Sequence, residues 1–223
     1  MTTFTFSSRH LAVALLGGVL TLGLGGQAAP ASAAPAATPI TRANDALAEA
    51  QAELKARHPR RAIAALEDLK LYVGRAHRQA VDQIGKPPAD PESDDPPGPP
   101  AVLAVVKLEH RVLLGLVPTF DGRTRTDVVD ALRAVVRSSQ HRRDVILDQV
   151  IALPAEGEGG DYADGMADTL SQYTQEVTLF TGALATYELS DGGRTGLTNG
   201  LARVLATQAK AEAAWGGGER RVH

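Results

Sequence analysis

Four ionisable side chains in the middle of the chain have the chemistry of a metal site or of a buried ion-pair layer. Glu109 and His110 are adjacent inside residues 101–117, the most apolar segment outside the N-terminus. His77 lies among the apolar residues of the preceding helical segment, and Arg133 lies in the following one. Two imidazoles and one carboxylate form a ligand set that transition metals accept. The same groups together with Arg133 also suit a structural cluster of hydrogen bonds and ion pairs.

Counting residues along the chain places these side chains at one level of a helical bundle. If successive helices run antiparallel, with a turn at residues 121–122, His77 and Arg133 both lie level with Glu109. A buried carboxylate needs a partner or takes up a proton, because desolvating a charge is costly. We therefore expect Glu109 to pair with His77 or Arg133. The alternative is a transition-metal site whose ligands are His77, Glu109 and His110; no other cofactor is expected.

Motifs for common enzyme chemistry are missing from the sequence. It contains no GxSxG, Walker A, dinucleotide-binding glycine or HExxH pattern. It also contains no cysteine, which excludes disulfides and cysteine-based metal sites. The di-iron bundle signature is Glu-x-x-His on paired helices, whereas Glu109 and His110 are adjacent. The sequence therefore favours a non-catalytic role, and an enzyme interpretation has no motif support.

Helices must position these polar side chains, because apolar residues recur at intervals of three and four. The segment 101–117 is apolar around most of its circumference, with Lys107 and Arg111 on a narrow polar wedge and Glu109 inside the apolar arc. It is shorter than the roughly 20 apolar residues of a membrane span. The predicted fold is therefore all-α, an up-and-down bundle of about six helices. The other helices are predicted at about residues 42–58, 60–84, 124–153, 161–189 and 194–215.

The segment 161–189 has the most regular apolar spacing and lies in an acidic part of the chain. Residues 152–193 contain eight Asp or Glu residues and no Lys or Arg. This asymmetry has two interpretations: acidic and basic helices packed side by side, or an acidic face that binds a partner. Gly182 is expected to let a neighbouring helix approach closely. The apolar seam consists of Ala163, Met166, Leu170, Tyr173, Val177, Phe180, Leu184 and Tyr187.

The N-terminal residues 1–33 have the pattern of a cleaved secretory signal peptide. A weakly basic start precedes the apolar residues 11–25 and a small-x-small cleavage site at residues 31–33. The absence of a twin arginine favours a Sec-type route, and a retained anchor helix is the alternative. The rest of the chain is divided into a flexible tether at 34–41, a helical-bundle domain at 42–215 and a disordered tail at 216–223.

A proline-rich segment, residues 85–100, predicts a long irregular crossover inside the domain. It contains seven prolines and four acids, which favours extended chain rather than regular structure. Asp90, Glu92 and Asp94 resemble the start of a calcium loop, but the position that needs glycine is Asp95, so the EF-hand pattern fails. The crossover is therefore interpreted as a solvated connection that proteases reach easily.

Composition and charge narrow the class of partner. The chain is rich in Ala, Gly, Arg and Pro and poor in Lys, which is typical of a bacterial gene of high GC content. The formal net charge is −3, and removal of Arg9 with the leader makes it −4, so nucleic acid is not expected as a partner. We expect a secreted or envelope-associated bundle without a transmembrane span in the mature chain. It would bind a protein or an envelope component, and the alternative is a metal- or small-ligand-binding bundle that uses the Glu109 layer. The sequence does not indicate the oligomeric state.

Overall fold

Six α-helices make up the part of the chain that the computed structural model describes, residues 37–84, 98–153 and 170–215. No strand occurs in those ranges, so the predicted all-α class and the number of helices are confirmed. The helices are α1 Pro39–Lys55, α2 Pro59–Val81, α3 Gly98–Leu116, α4 Thr126–Ile151, α5 Leu170–Thr186 and α6 Asp191–Trp215, and a 3-10 turn, Val117–Thr119, follows α3.

Several predicted segments lie outside the described residues. These are the leader at 1–33, the first three residues of the tether, most of the crossover, the first part of the predicted helix at 161–189 and the tail at 216–223. The predictions for these segments therefore stay predictions. Among the described residues, no helix is both long enough and apolar enough to cross a membrane.

Prolines begin helices here as well as ending them. The sequence predicts Thr41 as the cap of α1, but the helix starts at Pro39, and the hydroxyl of Thr38 accepts a hydrogen bond from the Thr41 N–H at 3.2 Å. A proline costs nothing at the first helical position, because the N–H that it lacks has no partner there. The predicted tether therefore loses its last three residues to α1.

The starts of three later helices also differ from the prediction. α3 begins at Gly98, so two prolines assigned to the crossover lie in its first turn, where proline is tolerated. α4 begins at Thr126 after Arg125 rather than after Thr124, whose hydroxyl instead donates to the Thr119 carbonyl at 3.4 Å. α6 begins at Asp191 because the Ser190 hydroxyl caps it, accepting from the Gly193 N–H at 3.1 Å.

α3 is the central element of the described bundle. It packs against α1, α2, α4 and α5, and its apolar residues are buried as the sequence predicts. Lys107 and Arg111 are exposed, which matches the predicted polar wedge. α4 contacts α2, α3 and α6, so α3 and α4 together touch every other described helix. Side chains on these two helices are therefore placed to connect the whole bundle.

Two glycines let α6 pack closely on its neighbours. A Cβ atom added at Gly200 would lie 2.4 Å from the Phe180 ring, and one at Gly196 would lie 2.7 Å from Cγ of Arg133. Both positions therefore have room only for hydrogen. Gly182 differs from its predicted role, because nothing lies within 4 Å of a Cβ built there. The close approach is made by the glycines of α6, not by Gly182 in α5.

Candidate functional site

Two adjacent arginines of α4 hold two carboxylates, one from α3 and one from α5. Arg142 donates from Nε to Oε1 of Glu109 at 2.6 Å and from Nη2 to Oε2 at 3.3 Å. Arg143 donates from Nη2 to Oε2 of Glu176 at 2.8 Å, and its Nη1 donates to Oε1. Both glutamates are 0% exposed and Arg143 is 1% exposed. Such bidentate contacts form because the planar guanidinium fits the geometry of an ionised carboxylate.

The helical turn explains why neighbouring residues serve different partners. Successive side chains point about 100° apart, so Arg142 and Arg143 diverge toward α3 and α5. Glu109 and His110 diverge in the same way on α3, each toward a different partner. We call these four residues together with Glu176 the charge layer. It connects three helices through one pair of adjacent residues on α3, one pair on α4 and one carboxylate on α5.

Glu176 receives three donor contacts from other members of the charge layer. Besides the two contacts from Arg143, Nδ1 of His110 lies 2.7 Å from its Oε1. An ionised carboxylate only accepts, so the His110 ring donates from Nδ1. The guanidinium carbon of Arg143 lies 4.7 Å from the centre of the Tyr173 ring, a cation–π contact. Every carboxylate oxygen of the layer thus has a donor within it, whereas Nε of the buried Arg143 has no hydrogen-bond partner among the described residues.

Burial and pairing act against each other on the ionisation of this layer. Burial raises the pKa of Glu109 above its ordinary value, and the charge and hydrogen bonds of Arg142 and a hydrogen bond from Ser139 only partly offset it. For Arg143, burial lowers the pKa, but the Glu176 charge and hydrogen bonds outweigh it and the pKa is raised. Taking charges out of water thus costs much of what their attraction gains, as expected for buried ion pairs.

His77 lies near the charge layer without joining it. The ring is about half-buried, and its Nδ1 has no hydrogen-bond partner among the described residues. Burial, together with smaller contributions from the charges of Arg142, His141 and Arg78, lowers the pKa of His77 to about 4. The imidazole is therefore neutral at physiological pH. It is close enough to Arg142 to respond to its charge, but it does not pair with Glu109.

Arg133 lies elsewhere. Its guanidinium donates to Asp130 at 3.2 Å, its side chain is 35% exposed, and the partner predicted for it, Glu109, binds Arg142 instead. Arg133 lies level with Glu109 only if α3 and α4 are joined by a tight turn at residues 121–122. The connection in fact runs from the end of α3 at Leu116 to the start of α4 at Thr126 and includes a 3-10 turn, so counting does not fix the register.

The candidate metal ligands are only partly brought together. Glu109 and His110 are neighbours in the buried layer, but each faces a different partner, and His77 contacts neither through a hydrogen bond. Within residues 37–84, 98–153 and 170–215, no three His, Asp or Glu side chains converge as metal ligands. The metal hypothesis stays a prediction for direct metal analysis.

Three residues of the layer, Arg142, Arg143 and Glu176, were not identified as its members from the sequence. Glu176 follows Tyr173 by three residues and precedes Phe180 by four, which is the spacing of the buried seam. Arg142 has the same relation to Ser139 and Ile146. Both signals were available, because a charged residue at a core position predicts a buried partner on a neighbouring helix.

A second set of polar contacts joins α4 to α6. Gln140 donates from Nε2 to the carbonyl of Gly200 at 2.9 Å, and Asp144 accepts from the Thr207 hydroxyl at 2.7 Å and from Arg203 at 3.3 Å. One turn further along α4, Asp148 pairs with Lys210. These contacts recur every four residues along α4 and fix its position against α6. They are structural in the same sense as the charge layer.

An open site lies at the turn end of α1 and α2. A cleft of about 340 Å³ is formed between the α1–α2 turn and the connection from α3 to α4. We call it the turn cleft. Four of its lining residues carry full positive charges and two carry carboxylates. The cationic residues are Lys55, Arg57, Arg123 and Arg125, and the acidic residues are Glu53 and Asp121.

Comparisons with known proteins give no family for this chain. No protein-family model matches it, and no curated protein or solved structure is significantly similar to it. Only the contacts and charges of the described residues therefore bear on the function of this chain.

Proposed function

We propose that the mature chain is an exported, non-catalytic helical bundle that binds a partner through its surface. The observation that supports the non-catalytic part is the pairing of both carboxylates within the charge layer. Glu109 and Glu176 are fully buried, and each has both carboxylate oxygens bound by an arginine. A catalytic acid or base must come within hydrogen-bond reach of its substrate. These carboxylates are therefore better suited to holding helices together than to reacting.

The turn cleft is the proposed place of binding. It is concave, open to solvent and lined by more positive than negative groups. An acidic face on α5 is less well supported, because Glu176, one of the acids behind that hypothesis, faces the core and pairs with a basic residue of α4. In the described part of residues 152–193, only Glu188 and Asp191 remain as exposed acids. The partner would be a protein or an envelope component that carries negative charge.

Export and topology complete the proposal. The leader pattern at residues 1–33 supports Sec-type secretion from a bacterial cell, with Ala34 as the first mature residue. Short connections between α1 and α2 and between α5 and α6 favour antiparallel neighbours and thus an up-and-down bundle. The route can be tested by expressing the full chain in a bacterial host and sequencing the product. Secreted protein should begin at Ala34 or within a few residues, and an intact Met1 in the membrane fraction would contradict export.

Binding at the turn cleft can be tested by photo-crosslinking on the exporting cells. A photoreactive amino acid replaces Thr124, an uncharged residue that lines the cleft, or, as a control, Arg78 at the other end of α2. The proposal predicts a discrete crosslinked product from position 124 and none from position 78. The same product from both positions, or none from position 124, would count against the cleft as the binding place.

A further inference from the structure

We infer that the turn cleft binds a small amphipathic anion, a ligand that carries a phosphate or carboxylate group on an apolar body. The inference rests on the proposed function, since it names the ligand chemistry of the site proposed there. Three observations carry it: the state of the carboxylates in the cleft, the state of its cations, and the backbone at Arg57.

The two carboxylates of the cleft are already engaged within the protein. Glu53 lies 2.7 Å from Nδ1 of His58 and 3.9 Å from Arg61. Asp121 accepts the backbone N–H of Arg123 at 2.5 Å, the local turn that aspartate favours. Of these partners, only His58 also lines the cleft. Neither carboxylate forms an ion pair with a Lys or Arg side chain of the cleft.

Most of the cations of the cleft are unpaired. Arg125 forms a two-pronged contact with Asp127, at 2.7 and 3.2 Å. Lys55, Arg57 and Arg123 have no ion-pair partner within the described part of the chain. Three exposed cations around one concave surface lower the energy of any anion placed between them. Their repulsion also falls when an anion binds.

Arg57 occupies a backbone position that favours glycine. Its φ is 59°, in the left-handed region. The turn there is a Schellman motif, in which Arg57 donates its N–H to the Leu54 carbonyl at 3.1 Å and His58 donates to Glu53 at 3.0 Å. Glycine would fit the turn without the steric cost of a side chain. A cation at such a position, with its side chain lining the cleft, points to a role other than folding.

Apolar surface beneath the cations suits the body of an amphipathic ligand. Leu54 and Pro118 contribute accessible apolar surface to the same cleft, whereas Ala62 and Val128, which also line it, are almost completely buried. The volume of about 340 Å³ lies within the range of small-molecule pockets, near its lower end. α2 also begins at this cleft, and its positive N-terminal end adds to the field that attracts an anion.

Calorimetric titration of the purified protein with octyl phosphate and with octanoate tests the inference. Saturable binding of at least one of them is expected, together with at least tenfold weaker binding in Arg57→Gly and in Arg123→Gln. Arg78→Gln, which removes the same charge at the far end of α2, should leave the affinity within twofold. Because Arg57→Gly also relieves the left-handed strain, its melting temperature should not fall, so weaker binding cannot come from misfolding.

Further probes separate the parts of the inference. Inorganic phosphate should bind more weakly than octyl phosphate, because it lacks the apolar body. If neutral octyl glucoside binds as well as octyl phosphate and the two arginine variants have no effect, the anion inference is overturned while the cleft remains a binding site. If no probe binds saturably, the inference fails, and crosslinking from position 124 decides separately whether the proposed function survives.

Discussion

The charge layer and the turn cleft use similar side chains in opposite ways. In the layer, each carboxylate is held by an arginine through two contacts and is shielded from water. In the cleft, Lys55, Arg57 and Arg123 lie at the surface without an ion-pair partner among the described residues. The comparison shows that the number of charges at a site does not reveal its role. Whether those charges are already paired separates a structural cluster from a surface that is free to bind.

The same comparison predicts different energetic roles. Removing one member of a buried pair leaves an uncompensated charge in a medium of low dielectric constant, which is strongly destabilising. An exposed cation contributes little to stability, because water and salt screen it. Substitutions in the layer should therefore change folding more than binding, and substitutions in the cleft should do the reverse.

The largest effect is expected from Glu176→Gln. Glutamine keeps the size of the side chain but removes the charge that Arg143 needs, so the free energy of unfolding should fall by about 3 to 5 kcal/mol. Urea unfolding followed by circular dichroism gives this value. As a control, Glu188→Gln, which changes an exposed residue just beyond α5, should stay within about 0.5 kcal/mol of the wild type. A loss below about 1 kcal/mol for Glu176→Gln would mean that the pair is solvated.

An intermediate effect is expected at two glycines, Gly200 and Gly182, which differ in the space available for a side chain. Gly200→Ala places a methyl group against the Phe180 ring and should destabilise the protein by about 1 to 3 kcal/mol through overpacking. Gly182→Ala has open space around it and should stabilise α5 by about 0.5 to 1 kcal/mol, because alanine is the better helix former. Melting temperatures of the two variants should move in opposite directions. Shifts of the same sign would refute the close packing of α6.

The smallest effect is expected from His77, which borders the charge layer. Its pKa is about 4 in the folded protein against 6.5 ordinarily, so the unfolded chain binds the proton more readily. Its contribution is thus complete above about pH 6.5 and is lost as the pH falls toward 4. For a half-buried ring, we expect about 1 kcal/mol.

Comparison with His77→Gln isolates this contribution. The raised pKa of Glu109 acts in the opposite direction, because its stabilising contribution decreases as the pH rises above the ordinary value of 4.5. Glu109 is common to both proteins, so its contribution cancels in their difference at each pH. The difference in unfolding free energy between wild type and His77→Gln should shrink from pH 7 to pH 4. A difference that does not change with pH would show that His77 has an ordinary pKa.

Helical periodicity was enough to predict the class of the fold and the burial of Glu109. The apolar arc of residues 101–117 locates Glu109 in the core and Lys107 and Arg111 in water, and the structure agrees. Helix starts were less predictable, because a proline that ends one helix also suits the first turn of the next. Periodicity describes which side of a helix is apolar, and it is silent about where the adjoining turn begins.

The ion-pair partners in the charge layer could not be predicted, because they depend on the axial register between neighbouring helices. A long arginine side chain reaches several levels, and the connection between α3 and α4 does not fix the register. The turn cleft could not be predicted from the sequence either. It is formed by two connections distant in the chain, and its most informative feature, the left-handed backbone of Arg57, follows from the end of α1 rather than from residue type.

A double-mutant cycle on Arg143 and Glu176 tests whether the buried charges stabilise the fold by pairing with each other. The variants are Arg143→Met, Glu176→Leu and the pair together, compared by urea unfolding. Each single variant should lose about 3 to 5 kcal/mol, whereas the double variant should lose less than either, because no charge is left unpaired. Additive losses, or single variants as stable as the wild type, would contradict the account.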